Sequence, residues 1–415
     1  MKYKYLLLLL PFVSVLTGFA QNANKDGEIV IGNLDHIHSN ILKEDRKIWV
    51  YVPNGPNPET NDPERFPVVY LLDGNGHFFS TMGILFHLSH LLRNTPCPKM
   101  IIVGIPNTVR NRDLTPTHAK FHPALDSLEV AQSGGGENFL SFIQKELMPH
   151  IDSLYPTAPY KMFIGHSFGG LTVMNTLINH PEMFNSYLAI DPSMSWDENK
   201  LLNQCKEVLR TDKLKGKSLF VAQANNTDPT INVDKNHKED QMIKDHEAAI
   251  RQLHTYLKEN NGKNGLRWKY KYYSEETHGS SPLPAEYDGF KFIFDFYRFN
   301  SIDRITDPKF NGDSAIAAHY KNISKQMGYN VFPPEPLMND LGYGFITTKD
   351  YKRAYGFLKM NVDNHPNSWN CHDSLGDLYD VMGEKEKAVE CYKKAVALSP
   401  NSPSKEKLDK LLAGK

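Results

Sequence analysis

The chain has 415 residues, of which 40% are hydrophobic and 23% are charged, and its 47 Lys and Arg residues nearly balance 48 Asp and Glu residues. A formal charge of -1 gives no electrostatic reason to expect a nucleic-acid or anionic-membrane partner. The apolar fraction is ample for a folded core, and the length predicts about two or three domains. Four cysteines without a C-x-x-C pair exclude a disulfide-built fold and give no indication of a zinc site.

Residues 1–20 are predicted to be a signal peptide. Lys2 and Lys4 precede the apolar run Leu6–Leu16, and the small residues Gly18 and Ala20 favour cleavage after Ala20. The run is too short to cross about 30 Å of hydrocarbon, and no later stretch is long and apolar enough to do so. The mature chain is therefore predicted to be exported, as a periplasmic or secreted protein.

Residues 21–300 are predicted to form an α/β domain with a mostly parallel sheet flanked by helices. Short β-branched or aromatic runs alternate with longer runs of helical periodicity, which is typical of such a sheet. Residues 36–42 and 47–52 are expected to pair as a hairpin at the sheet edge, and 137–155 and 239–260 have the apolar spacing of helices. The strands predicted after the hairpin are Pro67–Leu72, Met100–Ile105, Lys161–Gly165, Tyr187–Ile190, Ser218–Ala222 and Arg267–Tyr273.

The C-terminal part is predicted to be all helical, with a linker at 301–334, repeats at 335–402 and a tail at 403–415. Its period of about 34 residues resembles two tetratricopeptide repeats, which are helix-turn-helix units. Two repeats are fewer than the three or so that usually stand alone, so they are expected to dock on the first domain, a protein partner or a second copy. A 34-residue shift superposes Leu341, Gly342, Phe345, Ala354, Leu358 and Pro366 on Leu375, Gly376, Tyr379, Ala388, Tyr392 and Pro400.

The segment Gly165-His166-Ser167-Phe168-Gly169 has the Gly-x-Ser-x-Gly pattern of a nucleophile elbow. It follows a predicted strand and precedes the helical run 171–179, which is the context that such an elbow requires. Glycine fits on either side of the serine because the sharp turn brings neighbouring backbone close. Ser167 is therefore the predicted nucleophile.

A serine nucleophile needs a base, which in this fold comes last in the chain order Ser, acid, His. Of 17 histidines, His278 follows the last predicted strand and precedes a helical run, so it is the predicted base. His166 lies within the elbow, where its side chain is expected to point away from Ser167 and to pack.

The acid is expected after the predicted strand 218–222. Asp228 is nearest the strand end and is the preferred candidate, while Asp234, Glu239 and Asp240 follow it. The oxyanion donors are predicted to be the backbone N–H of Phe168 and a second donor in the turn 73–76, where Asn75 is preferred.

Five segments spread between Arg46 and Tyr297 resemble the Putative esterase family of α/β-hydrolases. That family includes siderophore, feruloyl and acetyl-xylan esterases, S-formylglutathione hydrolases and mycolyltransferases, and the likeness is greatest to the siderophore-esterase branch. The resemblance implies Ser167 as nucleophile, His278 as base and the 73–75 turn at the oxyanion hole; some relatives work with a Ser–His pair alone. The segments are 66–74, Arg112-Asp113-Leu114-Thr115-Pro116, 165–170, Asp191-Pro192-Ser193 and His278-Gly279-Ser280 through 287–289.

The sequence therefore predicts an exported serine esterase that acts through an acyl-enzyme and needs no cofactor or metal. Its substrate is expected to be a small-molecule or carbohydrate-linked ester, either a siderophore trilactone or a feruloyl or acetyl ester of plant polysaccharide. Acyl transfer to an alcohol would use the same residues, and a non-catalytic helical-repeat binding protein is the alternative from another class. Arg110, Arg112 and Lys120 are candidates to meet an anionic siderophore, and His77, Phe78, Phe79 and Trp196 to meet an aromatic one.

Overall fold

The computed structural model describes residues 29–53, 64–90, 94–226 and 237–414. The predicted signal peptide and the acid candidates Asp228 and Asp234 lie outside the described residues. From Gly32 onward the described residues form one compact unit.

An eight-stranded sheet organises the first part of this unit, in the order β1-β2-β4-β3-β5-β6-β7-β8. The first two strands form the predicted hairpin, and β2 also pairs antiparallel with β4, whereas all other neighbours are parallel. Each strand predicted from the sequence is confirmed. The strands are β1 (Asn33–Ser39), β2 (Glu44–Tyr51), β3 (Phe66–Leu72), β4 (Ile101–Ile105), β5 (Thr157–His166), β6 (Ser186–Ile190), β7 (Ser218–Ala224) and β8 (Arg267–Tyr273).

Helices cover both faces of the sheet, as the crossovers between parallel strands require. The helix predicted over 137–155 is α4 and α5 joined by a π-helical turn, Ile143–Leu147. None of the described helices is long and apolar enough to cross a membrane. The helices of this part are α1 (Gly74–His90), α2 (Arg110–Asp113), α3 (Ser127–Gln132), α4 (Gly136–Phe142), α5 (Met148–Leu154), α6 (Phe168–Asn179), α7 (Trp196–Val208), α8 (His237–Glu259) and α9 (Pro282–Ile293).

The central strands are largely apolar because both faces of the sheet are covered. Every residue of β3, β4 and β6 is buried, which is the pattern expected of parallel strands between two helical layers. Strand β8 lies at the edge, and only its last residue, Tyr273, is buried. Its charged residues Arg267, Lys269 and Lys271 discourage pairing with another chain.

The C-terminal part consists of helices, as predicted. The segment 301–334, predicted as a linker, contains a regular helix because Ile316, Tyr320, Ile323 and Met327 recur at helical spacing and are buried. The helices are α10 (Gly312–Met327), α11 (Glu335–Thr347), α12 (Tyr351–Asn364), α13 (Trp369–Val381), α14 (Lys385–Leu398) and α15 (Ser404–Ala413).

The two repeats are the helix pairs α11–α12 and α13–α14. A side chain at Gly342 would collide with Leu358, and one at Gly376 would collide with Tyr392. These two contacts are separated by the repeat period, so the small residues allow the same close approach in each pair. The pattern that predicted the repeats therefore has a steric cause.

Helix α10 joins the repeats to the sheet domain. One buried apolar cluster runs from sheet residues such as Ile164 through α10 to the repeats. At its first contact, His319 Nε2 lies 3.0 Å from the carbonyl oxygen of Tyr297, and the His319 ring packs on Phe299 at 5.3 Å. Helix α10 makes its second contact at its first residue, Gly312, which lies against Phe357 of the first repeat. The repeats are thus part of a shared core.

A chain ending at Asn300 is expected to be less stable because removal of α10 and the repeats uncovers Tyr160, Tyr297 and Phe299. These side chains belong to or adjoin the shared cluster, and an exposed apolar surface of this kind promotes association. We expect a melting temperature lower by roughly 10 °C or more, with aggregation. Thermal unfolding followed by circular dichroism, with light scattering, measures both, and unchanged values would show that the repeats are an independent module.

Candidate active site

Ser167 lies between β5 and α6 in a strained backbone conformation, with φ 60° and ψ -119°. Such a conformation costs about 1–3 kcal/mol and persists only where the surroundings fix it. Here the Ser167 N–H donates to the carbonyl oxygen of Ile190 at 3.0 Å. A side chain at Gly165 would collide with the Gly169 backbone. The elbow predicted from the sequence therefore presents its serine at the carboxyl end of β5.

His278 lies on the loop after β8 and is bound to a carboxylate that the sequence analysis did not consider. Its Nδ1 lies 2.6 Å from Asp191 Oδ2. Asp191 directly follows β6, and its side chain is fully buried. Asp240 falls in the first turn of α8, and the side chain there is outside the described residues, as are Asp228 and Asp234. Among the described carboxylates, the one on His278 is that of Asp191.

The Asp191 carboxylate is surrounded by hydrogen-bond donors. Oδ1 accepts from the Ala224 N–H at 2.9 Å, and Oδ2 accepts from Asn226 Nδ2 at 3.0 Å and faces His246 Nε2 at 3.1 Å. Burial by itself would raise the pKa of this carboxyl, but the bonds from His246 and His278 hold the pKa well below its usual range. Asp191 is therefore ionised, as a group that steadies an imidazolium must be.

The Ser167 hydroxyl is not yet bonded to the imidazole. Among the described residues, Ser167 Oγ meets a single polar partner, Ser193 Oγ, at 3.5 Å. The His278 ring packs against the His166 ring with centroids 4.4 Å apart, so it lies beside the elbow. Bonds between a nucleophile and its base often tighten only when substrate binds.

His166 packs within the site. Burial, followed by the charges of His278 and His77, lowers the pKa of His166 to about 3, so its ring is neutral. Its Nε2 is buried and has no hydrogen-bond partner among the described residues. The ring therefore serves as an apolar support for His278.

The two residues predicted as oxyanion donors lie at the starts of two helices. Phe168 and Asn75 lie in the first turns of α6 and α1, where backbone N–H groups have no partner within the helix. Neither N–H donates to another described residue. The two turns are neighbours, since a side chain at Gly169 would lie 3.1 Å from Asp73 Oδ2.

An ion pair between Asp73 and Arg110 holds the 73–76 turn in place. The Arg110 Nε and Nη2 atoms lie 2.7 and 3.0 Å from the two oxygens of Asp73, and Asn107 Nδ2 lies 2.5 Å from Oδ1. Burial opposes ionisation of Asp73, but the Arg110 bonds outweigh it and lower its pKa. Arg110 therefore fixes the 73–76 turn through this ion pair, and its side chain remains 32% exposed.

The other predicted substrate contacts are also partly engaged. Arg112 is bound to Glu44 and Asp113, whereas Lys120 is exposed. Of the aromatic candidates, Phe78 and Trp196 are buried in the core, His77 is half-buried and Phe79 is 56% exposed. Phe121, which the sequence analysis did not single out, is 75% exposed beside His122, whose ring contacts Phe168 and Trp196. Phe121 therefore joins the predicted residues as an exposed aromatic candidate for contact with substrate.

Asp191, His246 and His278 have the composition of a metal site. One ligand atom from each lies within 4.8 Å of the others, and two imidazoles with a carboxylate suit zinc or iron. The same atoms, however, stand at hydrogen-bond distances of 2.6 and 3.1 Å. A metal would have to displace both N–H protons, so the geometry fits hydrogen bonding better than coordination.

A buried carboxyl, that of Glu286, joins helix α9, which follows the His278 loop, to helix α1, which begins in the 73–76 turn. Glu286, on α9 after His278, is 1% exposed, and Thr81 on α1 donates to its Oε2 at 2.9 Å. Burial raises the pKa of Glu286 to about 8, although the Thr81 bond opposes the shift. At neutral pH this carboxyl is mainly protonated, and it connects the two helices without a buried charge.

The comparison that decides the family covers most of this domain. Residues 39–279 match the family described as Putative esterase. The chain belongs to that family. Residues 369–402 match the Tetratricopeptide repeat family, which agrees with the second helix pair.

Known proteins give the same result. The Ferri-bacillibactin esterase BesA of Bacillus subtilis (strain 168) is 32% identical over 167 residues, which are 38% of this chain and 56% of that relative. The chain thus spans about half the length of the curated relatives it matches. A solved IroE-like serine hydrolase from Shewanella oneidensis is 30% identical, with a TM-score of 0.67 over 80% of this chain and 98% of that one.

A second solved structure extends the likeness to the repeats. An uncharacterised protein from Capnocytophaga ochracea covers 92% of this chain and 99% of its own, with a TM-score of 0.61. At 15% identity it supports the fold alone. The combination of this sheet fold with a helical C-terminal part therefore occurs in another protein.

The buried Glu286 carboxyl is expected to make stability fall as pH rises. Its pKa is about 8 in the folded protein and about 4.5 when unfolded. The stabilising contribution of this carboxyl is therefore fully present below pH 4.5, decreases as pH rises above 4.5, and is lost once pH has passed 8. The free energy of unfolding should decrease by at most about 1.4 kcal/mol per pH unit in this window. Glu286→Gln, which stays neutral and can accept from Thr81, should remove this slope.

Urea unfolding at pH 5, 7 and 9 measures the effect. We expect Glu286→Gln to resemble the wild type at pH 5 and to be more stable at pH 9. If the two proteins have parallel pH profiles, Glu286 is ionised in the folded protein and its high pKa is wrong.

Proposed function

We propose that this protein is an exported serine esterase that hydrolyses carboxylic esters through an acyl-enzyme on Ser167. The observation that carries the proposal is the pairing of His278 with the buried Asp191 beside a strained serine elbow. These groups come from the ends of three different strands and meet at one edge of the sheet. The family match and the likeness to an IroE-like serine hydrolase support the same chemistry.

The first half of the reaction acylates the serine. Because Asp191 engages Nδ1 of His278, Nε2 is the nitrogen that takes the proton from Ser167 Oγ. The serine oxygen then attacks the ester carbonyl, and the resulting oxyanion accepts from the N–H groups of Phe168 and Asn75. The C–O bond to the alcohol breaks as Nε2 returns the proton to the leaving oxygen.

The second half releases the acid. Water replaces the departed alcohol, and His278 Nε2 removes a proton from it as it attacks the acyl carbon. The same donors hold the second oxyanion until the bond to Ser167 breaks. Throughout, the ionised Asp191 stabilises the positive charge on the His278 ring.

The substrate class that fits best is a siderophore ester. The curated relatives include a ferri-bacillibactin esterase and a siderophore triacetylfusarinine C esterase. The exposed Phe121 ring directly precedes His122, whose ring contacts Phe168 beside the nucleophile, and it offers a flat apolar contact that suits an aromatic iron chelate. Arg110 and Arg112 are held in ion pairs, so we expect recognition to depend more on aromatic contact than on cations.

Export is proposed from the sequence of residues 1–20. The charged start, short apolar run and small residues before Gln21 support it. N-terminal sequencing of the chain recovered outside the cytoplasm should begin at Gln21, and an intact Met1 on that chain would contradict export by cleavage.

Loss of the nucleophile or of the acid should abolish most activity without unfolding the protein. We expect Ser167→Ala to lower kcat for p-nitrophenyl acetate by about 10⁴-fold or more. Asp191→Asn should lower it by up to about 10⁴-fold, because an amide holds the wrong histidine tautomer. Steady-state kinetics with circular dichroism of each variant measures the effect.

Two matched variants control for the chemistry of the substitutions. Ser153→Ala changes an exposed serine on α5, and Asp228→Asn changes the acid preferred from the sequence. Both should retain kcat within about twofold. Activity of Ser167→Ala above a tenth of the wild type would contradict the nucleophile, and a large loss in Asp228→Asn with none in Asp191→Asn would reverse the acid.

The substrate class can be tested by direct comparison. We expect a ferric trilactone siderophore to be hydrolysed with a kcat/KM at least about tenfold above that of methyl ferulate or acetylated xylan, since the siderophore offers several aromatic contacts at once. Phe121→Ala should lower this preference while leaving kcat/KM for p-nitrophenyl acetate unchanged. A higher value for either plant ester would identify the protein as a polysaccharide esterase.

A further inference from the structure

Asp191 Oδ2 is contacted by two imidazoles, one more than a Ser-His-Asp site requires. His278 Nδ1 lies 2.6 Å from it, and His246 Nε2 lies 3.1 Å from the same oxygen. The two rings stand nearly perpendicular, with centroids 5.5 Å apart. An anionic oxygen can accept from both only if each histidine presents an N–H, which fixes the His246 tautomer with its proton on Nε2.

His246 is held there by helix α8. Its side chain is 14% exposed, compared with 42% for His278. The next residue, Glu247, is buried and accepts from the Asn226 N–H at 2.7 Å, while the Asn226 amide itself donates to Asp191. One helix thus reaches the acid twice, directly through His246 and indirectly through the Glu247–Asn226 contact.

We propose that His246 is a positioning residue that holds the Asp191 carboxylate in the orientation His278 requires. The inference rests on the proposed function. His278 is the most exposed of the donors to Asp191, and in the proposed mechanism it exchanges protons with Ser167, the leaving alcohol and water. His246 is nearly enclosed and takes no part in those steps. Its bond keeps Oδ2 in place, and therefore keeps His278 Nε2 directed at the elbow.

The geometry also predicts how His246 differs from the catalytic pair. It acts through Asp191 alone, so its removal should slow every step that needs a directed base and leave substrate affinity unchanged. His246 contributes a hydrogen bond from one N–H to Asp191. A different side chain of similar length that also presents an N–H should therefore restore its function. A residue that only packs would show neither property.

The experiment compares two substitutions at the same position. His246→Leu removes the donor, and His246→Gln keeps an amide N–H at a similar reach. We expect His246→Leu to lower kcat for p-nitrophenyl acetate about 10- to 100-fold, with KM within about twofold. The rate of labelling of Ser167 by a fluorophosphonate should fall by the same factor. His246→Gln should recover both rates to within about threefold of the wild type.

His254→Leu is the matched control on the same helix. His254 stacks on Tyr270 with ring centroids 3.8 Å apart and has no contact with Asp191 among the described residues. This variant loses an aromatic contact of α8 without losing a donor to the acid. We expect its kcat and labelling rate to equal those of the wild type, which separates destabilisation of the helix from loss of the hydrogen bond.

A double-mutant cycle with Asp191→Asn tests the route of the effect. If His246 acts only through the carboxylate, His246→Leu should lower the labelling rate of the Asp191→Asn protein by less than about twofold. Full additivity would overturn the proposal, as would equal losses in His246→Leu and His246→Gln or wild-type kinetics in His246→Leu. A wild-type protein that is not labelled at Ser167 would instead contradict the proposed function.

Discussion

A fully buried carboxylate, that of Asp191, is the constraint on which the rest of the site depends. An unpaired charge in this position would be strongly unfavourable, so the fold must bring several donors to it. These donors come from the end of β7, from α8 and from the loop after β8. The requirement to keep one carboxylate ionised therefore brings three separate segments together, and it holds His278 beside the serine elbow.

Three residues at the carboxyl ends of the strands have strained backbone conformations. Asp73, Ser167 and Asp191 each follow a strand and have φ values of 52°, 60° and 40°. Non-glycine residues adopt such values only when neighbouring structure fixes them. Here the Ser167 N–H is bound to Ile190, the Asp191 N–H to Ala222 and the Asp73 carboxylate to Arg110. Rigid parallel strands beneath these turns supply the support, so the polar groups above them are held in place before substrate arrives.

Sequence reasoning predicted most of the fold because the hydrophobic periodicity of the helices and strands, and the turn residues between them, were clear. Buried parallel strands are largely apolar, and the elbow has a steric signature at Gly165, so the turn that holds Ser167 could be predicted directly. The acid was predicted after β7, following the usual chain order, whereas Asp191, the described carboxylate that contacts His278, follows β6. Asp191-Pro192-Ser193 appeared only as part of the family resemblance. A charged residue immediately after a fully apolar strand was the available signal, but its partners are 33 to 87 residues away and are visible only in three dimensions.

The position of the repeats explains why they need not affect the chemistry. The segment 329–337 and residues 363–366 border a groove of about 960 Å³ whose other wall includes Phe66, Pro67 and Pro98. Those residues lie at or before the amino ends of β3 and β4, whereas Asp73 follows the carboxyl end of β3. In a parallel sheet these are opposite edges, so this part of the first repeat packs at the edge away from Ser167. Apolar residues of the repeats belong to the same buried cluster as residues of the sheet. This arrangement favours a role in stability or partner binding over control of substrate access.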